Sequence, residues 1–216
     1  MKSVLLIGLS YFGTQLAREM YEYGHDVMVV DKREERINEI MPYVTEAQIG
    51  DSTKESFLRS LDIENYDACF VAIEDDFQSS LETTSLLKEL GAKRVISRAN
   101  RNVQAKFLLR NGADEVINPE QQIAKWAVLR YTVDHILDYT RLDETHAMYE
   151  IDIPDEWRSK TVAELGLRKR YGINILGIKR GDSIDFSFAP DTQMPWDATL
   201  LILGEESVVQ SLFKVR

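Results

Sequence analysis

Short apolar runs alternate with longer segments of helical periodicity from the first residues to about Pro119. This alternation is typical of βαβ units, in which helices connect parallel strands. Most of the runs are apolar on both sides, as strands covered by helices on two faces must be. We therefore expect an α/β fold with a Rossmann-type, doubly wound, six-stranded parallel sheet. The six predicted strands are Val4–Ile7, Val27–Val30, Val44–Ile49, Ala68–Ile73, Arg94–Ser97 and Glu115–Ile117.

A long helix is predicted to begin at Pro119, because Asn118 is a capping residue type and proline is favoured at the first helical position. We expect this helix to continue to Tyr139 and to contain His135. It has more apolar residues than one buried face needs, which indicates that it also packs on a partner subunit. These residues are Ile123, Trp126, Ala127, Val133, Ile136 and Leu137.

A second, small α+β domain is predicted after Arg141. The charged residues Arg141 to Glu144 indicate a linker, with His146 assigned to the same segment, and Met148–Ile153 alternates as a half-exposed strand does. Further predicted elements are a capping box at Thr161–Glu164, a hairpin of Ile173–Lys179 and Ile184–Phe188 around Gly181-Asp182, a strand at Thr199–Leu203 and a closing helix at Glu205–Phe213. The expected divisions of the chain are residues 1–118, 119–140 and 141–216.

The loop after the first strand is Gly8-Leu9-Ser10-Tyr11-Phe12-Gly13, in the place of a dinucleotide-binding G-x-G-x-x-G loop. The two glycines allow a tight turn and close packing of helix on strand, and free amides at the helix start attract an anion. Ser10 replaces the middle glycine: its side chain narrows the approach to a phosphate, while its hydroxyl could donate a hydrogen bond. Glycines in such a turn also serve packing alone.

Asp31 ends the second strand, where an acidic side chain can accept both hydroxyl protons of an adenosine ribose. The alternative is an exposed aspartate at a strand end. Together with the glycine loop, Asp31 predicts binding of an adenine nucleotide. Because Asp31 would repel a 2′-phosphate, NAD, ATP or ADP is expected rather than NADP, with Lys32 and Arg33 as cations that could oppose this preference.

Three further segments follow strands at the same edge of the sheet. The first of these segments is Gly50-Asp51-Ser52. Either Asp51 or Ser52 caps the next helix, or Asp51 forms part of an adenine pocket. Ala72-Ile73 offers a small residue where the backbone approaches a ligand. The acids Glu74, Asp75 and Asp76 are interpreted mainly as a favourable negative charge at a helix start. Alternatively, they or Glu120 hold a divalent cation against the phosphates.

Composition and charge limit the function. The formal net charge of −10 disfavours binding to nucleic acid or to anionic lipid. No apolar run is long enough to span a bilayer and Met1-Lys2-Ser3 opens no signal peptide, so a cytoplasmic protein is expected. The single cysteine, Cys69, lies in an apolar run, which indicates a buried and inert thiol with no disulfide.

Catalysis is disfavoured. A dehydrogenase needs a positioned acid or base near the nicotinamide, but His25 precedes the second strand and so lies at the opposite edge of the sheet. No nucleophile motif, zinc spacing or Walker lysine is present. The chain is therefore not expected to be an enzyme, with a NAD-dependent oxidoreductase or a soluble nucleotide-binding regulatory module as the alternative functions.

The chain resembles the RCK (regulator of conductance of potassium) family, which includes TrkA and KtrA proteins, over nearly its whole length. The resemblance is carried by Gly8–Gly13 with Asp31, Gly50-Asp51-Ser52, Val71-Ala72-Ile73 with Gln78, Ile117-Asn118-Pro119-Glu120, Leu165-Gly166-Leu167 and the Pro190, Asp197 and Leu203-Gly204 pattern. It implies an RCK N domain, a crossover helix that forms a homodimer, and a C-terminal RCK domain. It also implies a ring of subunits under a TrkH- or KtrB-like membrane potassium channel or transporter. Nucleotide exchange would change the shape of this ring and so gate the membrane subunit.

The resemblance also implies roles for particular residues. Gly8, Ser10 and Gly13 would hold the phosphates, Asp31 the ribose, Asp51 and Ala72 the adenine, and Glu120 a cation or a subunit contact. Several ATP-responsive members have an arginine at the position of Tyr11, and that arginine contacts the terminal phosphate. Whether this chain distinguishes ATP from ADP is therefore in question. A second pocket, for cyclic di-AMP, would use Leu167, Arg168, Asn174 and Ile175. The alternative for that segment is a turn and a buried strand.

Overall fold

The computed structural model describes residues 1–213. Two compact units make up the chain, the first from Met1 to Glu120 and the second from Gln121 onward. Within residues 1–213, no helix has both the length and the apolarity needed to cross a membrane.

The first unit is built on a six-stranded sheet in which each neighbouring pair of strands is parallel. The order is β3-β2-β1-β4-β5-β6, so the direction of winding reverses between β1 and β4, where folds of this kind bind ligands at the carboxyl edge. The predicted Rossmann-type fold is therefore confirmed. Its strands are β1 (Ser3–Ile7), β2 (Asp26–Asp31), β3 (Glu46–Ile49), β4 (Ala68–Val71), β5 (Val95–Arg98) and β6 (Glu115–Ile117).

Helices cover both faces of this sheet. Alternate residues of β1 separate the two cores: Leu5 packs with Leu58 and Leu87 on one face, while Leu6 packs with other buried residues on the opposite face. The helices of this unit are α1 (Tyr11–Glu22), α2 (Glu34–Ile40), α3 (Glu55–Arg59), α4 (Phe77–Glu89) and α5 (Asn102–Arg110), with 3₁₀ turns at Met41–Tyr43 and Ile63–Asn65. Because all neighbouring strands are parallel, the loops that follow them lie at the same edge of the sheet.

The second unit is built on an antiparallel sheet of order β10-β9-β11-β8-β7. Its core includes Tyr149, Ile151, Ile173 and Leu200, all fully buried. The elements, beginning with the helix that crosses from the first unit, are α6 (Pro119–Thr132), β7 (Ile136–Arg141), β8 (His146–Asp152), a 3₁₀ turn (Asp155–Trp157), α7 (Val162–Leu165), α8 (Leu167–Tyr171), β9 (Asn174–Arg180), β10 (Ser183–Asp185), β11 (Thr199–Glu205) and α9 (Glu206–Leu212).

The predicted long helix is wrong beyond Thr132. The chain turns through His135, whose φ of +69° is left-handed, and residues 136–141 form β7 instead of helix. A strand is more stable than a helix here because it pairs with β8 and because Ile136, 1% exposed, enters the core of the second unit. Local helical periodicity is overridden here by tertiary pairing.

The predicted linker at Arg141–Glu144 is also wrong. Arg141 is the last residue of β7 and His146 the first of β8, so the intervening charged residues form a hairpin loop within one sheet. The carboxylate of Asp143 accepts hydrogen bonds from the backbone amides of Thr145 and His146, each at 2.7 Å. These bonds hold the pKa of Asp143 well below its usual range. The charges stabilise a tight turn and do not mark a flexible connection.

The other predicted elements of the second unit are present, although β10 ends at Asp185 and not at the predicted Phe188. Thr161 and Glu164 form a reciprocal capping box at the start of α7, and β9 and β10 form a hairpin across Gly181. The closing helix, α9, ends at Leu212, one residue before the predicted end at Phe213. Residues 214–216, included in the last expected division, lie outside the described residues.

Candidate functional site

The glycine loop joins β1 to α1 at the switch in strand order. Gly8 has a φ of +95°, and a Cβ atom there would lie 2.8 Å from the backbone nitrogen of Ile73. A Cβ atom on Gly13 would lie 2.2 Å from the carbonyl oxygen of Gly8. Both glycines are therefore required for the first turn of α1 to pack against the loop that follows β4, as the sequence predicts.

Ser10 caps α1. Its Oγ atom accepts a hydrogen bond from the backbone amide of Gly13 at 3.3 Å, and the residue is 4% exposed. The side chain that replaces the middle glycine of the motif is therefore folded back onto the helix. The first N–H groups of a helix have no partner within the helix, so those at the start of α1 remain suited to an anion.

Asp31, at the carboxyl end of β2, is bound to the glycine loop. Its carboxylate accepts hydrogen bonds from the backbone amides of Leu9 at 2.7 Å and Arg33 at 2.8 Å, and Arg36 forms an ion pair with it at 3.5 Å. A carboxylate has about four lone-pair sites, so these two amides leave capacity for the hydroxyl groups of a sugar. The sequence analysis did not identify Arg36. Its position in the first turn of the next helix is the signal that could have identified it.

A cleft opens at this edge of the sheet. It is lined by nine of the thirteen residues predicted to bind a nucleotide: Gly8, Ser10, Asp31, Lys32, Asp51, Ser52, Ala72, Ile73 and Glu74. The other four have different positions. Leu9 is buried in the core, Tyr11 is 82% exposed, Phe12 packs beneath the guanidinium of Arg98, and Gly13 packs against Gly8. The structure thus brings most of the predicted set together, and their roles in binding stay predictions.

The loop after β3 forms one side of the cleft. Asp51 accepts hydrogen bonds from the Oγ1 atom of Thr53 at 2.7 Å and from its backbone amide at 3.0 Å, which lower the pKa of Asp51. Ser52 is 6% exposed, and its Oγ atom lies 2.8 Å from Oγ1 of Thr83 on α4. Since the cap position of α3 is held by Lys54, the alternative in which Asp51 or Ser52 caps that helix is wrong.

The acids after β4 have separate roles. Asp76 caps α4, accepting from the backbone amide of Ser79 at 3.0 Å and from its Oγ atom at 2.6 Å, as the helix-start interpretation predicts. These bonds lower the pKa of Asp76. Asp75 lines the cleft, and Glu74 turns toward Arg98 at the end of β5.

Arg98 is the main residue that sequence reasoning missed. Its side chain is 2% exposed, and its Nη2 atom donates to Glu74 at 3.0 Å and to Glu120. Burial acts to lower the pKa of Arg98, but the hydrogen bonds and charges of the two acids outweigh burial and raise that pKa. An arginine directly after the apolar run of β5, at the ligand-binding edge, was the available signal.

The predicted cation ligand, Glu120, is the second residue of α6 and is held by Arg98. Burial acts to raise the pKa of Glu120, while its own backbone amide and Arg98 lower it to a net value below normal. Among residues 1–213, no group of three or more histidine, cysteine, aspartate or glutamate side chains is arranged to hold a metal ion. A cation at Glu120 remains a prediction.

The predicted second-ligand residues lie in the second unit. Leu167 starts α8 and is 3% exposed, within the core, whereas Arg168 beside it is exposed. Asn174 and Ile175 start β9 and are half-buried, and both pair with β11. The turn of the plainer alternative is a short helix here, its strand is present as β9, and ligand binding by all four residues stays a prediction.

Comparison with known proteins places this architecture in a family. Residues 4–119 match the TrkA-N domain model and residues 147–215 match the TrkA-C domain model. The chain is 35% identical to Ktr system potassium uptake protein C of Bacillus subtilis over 94% of this chain and 92% of that protein. It is 32% identical to Ktr system potassium uptake protein A of the same organism, over 97% and 94% of the two chains.

Solved structures share the fold. The GsuK channel bound to NAD matches with a TM-score of 0.69 at 16% identity, over 98% of this chain and 38% of the channel chain. GsuK bound to ADP matches with a TM-score of 0.53 at 15% identity, over 62% of this chain and 36% of that one. The chain thus spans well under half the length of GsuK. Domain content and full-length similarity together confirm the resemblance: the chain belongs to the TrkA and Ktr family of potassium uptake proteins.

Proposed function

We propose that this protein is a cytoplasmic regulatory subunit that binds an adenine nucleotide, ATP, ADP, NAD or NADH, in the cleft of its first unit. In this proposal it gates a membrane potassium channel or transporter subunit of the TrkH or KtrB kind. The observation that carries the proposal is the cleft itself, where Asp31 and the start of α1 lie together at the switch in strand order. The NAD and ADP found with GsuK support the same ligand class.

In this proposal each part of the ligand has its own partner. The carboxylate of Asp31 accepts hydrogen bonds from the ribose hydroxyls, and the amides at the start of α1 bind phosphate. Gly50, 51–53 and Ala72 form walls with little side-chain bulk for the base. None of the three histidines lines the cleft, so the geometry does not favour the oxidoreductase alternative.

Isothermal titration calorimetry with ATP, ADP, AMP, NAD and NADH tests the binding step. We expect at least one of these ligands to bind, and Asp31→Ala to remove that binding. A matched control is Asp26→Ala, at the other end of the same strand and outside the cleft. If wild-type protein binds none of the five ligands, the sensor function is refuted.

Gating needs an assembly that can change shape. A ligand shifts a conformational equilibrium only by its difference in affinity for the two states, so we propose that nucleotide favours one arrangement of a ring of subunits. The helix α6 supports assembly into homodimers, because Ile123, Val128 and Tyr131 are 63%, 55% and 74% exposed. Large apolar side chains exposed together on a helix indicate a protein interface.

Two measurements test this part. Light scattering after gel filtration should give a multiple of the chain mass, and Ile123→Lys should reduce it, with the exposed polar substitution Gln122→Lys as a control. Affinity capture from bacterial membranes should retain a potassium transporter subunit. Recovery of only non-membrane partners would favour the alternative of a regulatory module for another enzyme, and a strict monomer would exclude the ring mechanism.

A further inference from the structure

Arg98 is buried, yet only one of its three side-chain nitrogens forms hydrogen bonds. A guanidinium carries five N–H donors, and here the single nitrogen Nη2 serves both Glu74 and Glu120. Nε and Nη1 are buried without a hydrogen-bond partner anywhere in residues 1–213. A buried polar group that lacks a partner in a folded protein calls for an explanation.

The two carboxylates that bind Arg98 are both accessible to solvent, whereas its guanidinium is not. The side chain of Glu74 is 38% exposed and that of Glu120 is 60% exposed, whereas the side chain of Arg98 is 2% exposed. Rotation of either glutamate therefore moves its carboxylate into water, whereas the buried guanidinium then needs another anion as its partner. Because Glu74 also lines the cleft, it is the partner that an anion in the cleft would meet first.

Arg98 is not itself one of the residues that line the cleft, but it is linked to the cleft through Glu74 and to the start of α1 through Phe12. Its guanidinium lies over the ring of Phe12, 6.0 Å from the centroid, and Phe12 is the second residue of α1. The cations that line the cleft, Lys32, Arg33 and Arg36, all come from the β2 side. Arg98 supplies a positive charge from the β5 side, beside the first turn of the helix where an anion is favoured.

We propose that Arg98 is a phosphate contact of the bound nucleotide and that the carboxylate of Glu74 competes with the phosphate for the guanidinium. The inference rests on the proposed nucleotide site and extends it to the basis of phosphate recognition. A phosphate on Arg98 displaces the Glu74 carboxylate, and the fork of guanidinium N–H groups then meets an acceptor that can bind it in a bidentate manner. The exchange lets the protein distinguish nucleotides by their phosphates although Tyr11 provides no charge.

Calorimetry of the full chain with adenosine, AMP and ADP, in the absence of divalent cations, tests the inference. We expect Arg98→Gln to weaken ADP binding by about tenfold, the loss of one charge-assisted hydrogen bond, and to leave adenosine affinity unchanged. Glu74→Gln removes the competing carboxylate, so it should strengthen ADP binding by about threefold, in the range of one partly exposed ion pair. Arg101→Gln, an exposed arginine outside the cleft, is the charge-matched control and should change neither affinity.

The outcomes separate this inference from the function on which it rests. An equal loss of adenosine and ADP affinity in Arg98→Gln, or unchanged ADP affinity in Glu74→Gln, would overturn the phosphate role while leaving the nucleotide site intact. Failure of the wild type to bind adenosine, AMP and ADP would overturn the phosphate role, and the proposed function falls with it only if ATP, NAD and NADH also fail to bind. Should Arg98→Gln fail to fold, Glu74→Gln decides alone, since a purely structural ion pair predicts lower thermal stability without any gain in ADP affinity.

Discussion

The carboxylate of Asp31 accepts a hydrogen bond of 2.7 Å from the backbone amide of Leu9, which ties the end of β2 to the glycine loop after β1. The residue proposed to hold the ribose therefore also shapes the loop proposed to hold the phosphates. Arg33 donates its backbone amide to the other carboxylate oxygen at 2.8 Å, which extends the same connection to the start of α2. Ligand binding and loop stability are expected to be coupled through this one side chain.

The first prediction concerns that coupling. Asp31→Ala leaves the buried amide of Leu9 without its acceptor, so we expect the free energy of unfolding to fall by about 1–3 kcal/mol even without ligand. Urea denaturation followed by circular dichroism measures it. Asp26→Ala, at the amino end of the same strand, should lie within about 0.5 kcal/mol of wild type. Equal stability of Asp31→Ala and wild type would show that the loop does not depend on this bond.

The second prediction separates crowding from backbone strain at two glycines. Gly13→Ala places a Cβ atom 2.2 Å from the carbonyl oxygen of Gly8, so α1 must shift, at a cost of about 1–3 kcal/mol, and the cleft must distort. Gly24→Ala meets nothing within 4 Å but keeps a φ of +77°, so it costs about 1 kcal/mol and leaves the cleft intact. We expect nucleotide affinity to fall only in Gly13→Ala.

Calorimetry beside denaturation checks this pair of variants. Full nucleotide affinity in Gly13→Ala would contradict the close packing of the loop. Loss of affinity in Gly24→Ala would instead show that strain at a distant helix end reaches the cleft.

Much of the first unit could be predicted, because the sequence pattern that produces it is local. Runs such as Val27–Val30 are short, apolar and rich in β-branched residues, which favours buried strands, and the loop at Gly8–Gly13 has a spacing with a direct steric cause. The strand order then brings residues from separate segments to one edge. For this reason, Asp31 and Asp51 lie around the same cleft although nothing in their own segments requires it.

The failures have a common physical origin in long-range contacts. Residues 136–141 become a strand because β8 pairs with them and Ile136 enters the core, and the sequence of β8 begins after the intervening loop. Arg98, Glu74 and Glu120 form one cluster although more than twenty positions separate Arg98 from each acid. Periodicity detects which face of an element is apolar, but it cannot show which charged side chains meet after folding.

The third prediction follows from the burial of Cys69. The residue is fully buried in β4, and burial raises the pKa of its thiol to about 12. At pH 8 the folded protein therefore holds a protonated, inaccessible thiol, whereas the unfolded chain has an ordinary thiol with a pKa of about 8.5. Since the folded pKa is the higher one, this contribution to stability is present below pH 8.5 and is lost as the pH rises toward 12.

A thiol-reactive chromophore at pH 8 measures this directly. We expect no labelling of native protein on the timescale of minutes and complete labelling, one thiol per chain, in urea. Rapid labelling without denaturant would show that β4 opens readily.

The fourth prediction concerns the hydroxyl pair that joins the cleft to α4. The Oγ atom of Ser52 lies 2.8 Å from Oγ1 of Thr83, and Thr83 is fully buried. Thr83→Val keeps the shape but leaves Ser52 without its partner, so we expect a loss of about 1–2 kcal/mol in unfolding free energy. Thr83→Ser retains the hydroxyl and should lose less, by the cost of one buried methyl group, about 1 kcal/mol.

A double-mutant cycle of Thr83→Val with Ser52→Ala isolates the pair, because contacting residues are non-additive by about 0.5 kcal/mol or more. We expect the second substitution to cost little once the first has been made. If Ser52 also positions the loop that faces the base, each single variant should weaken adenosine binding, and the double variant should weaken it no further. Additive losses in both stability and affinity would mean that the two hydroxyls act independently, and that α4 does not hold the wall of the cleft.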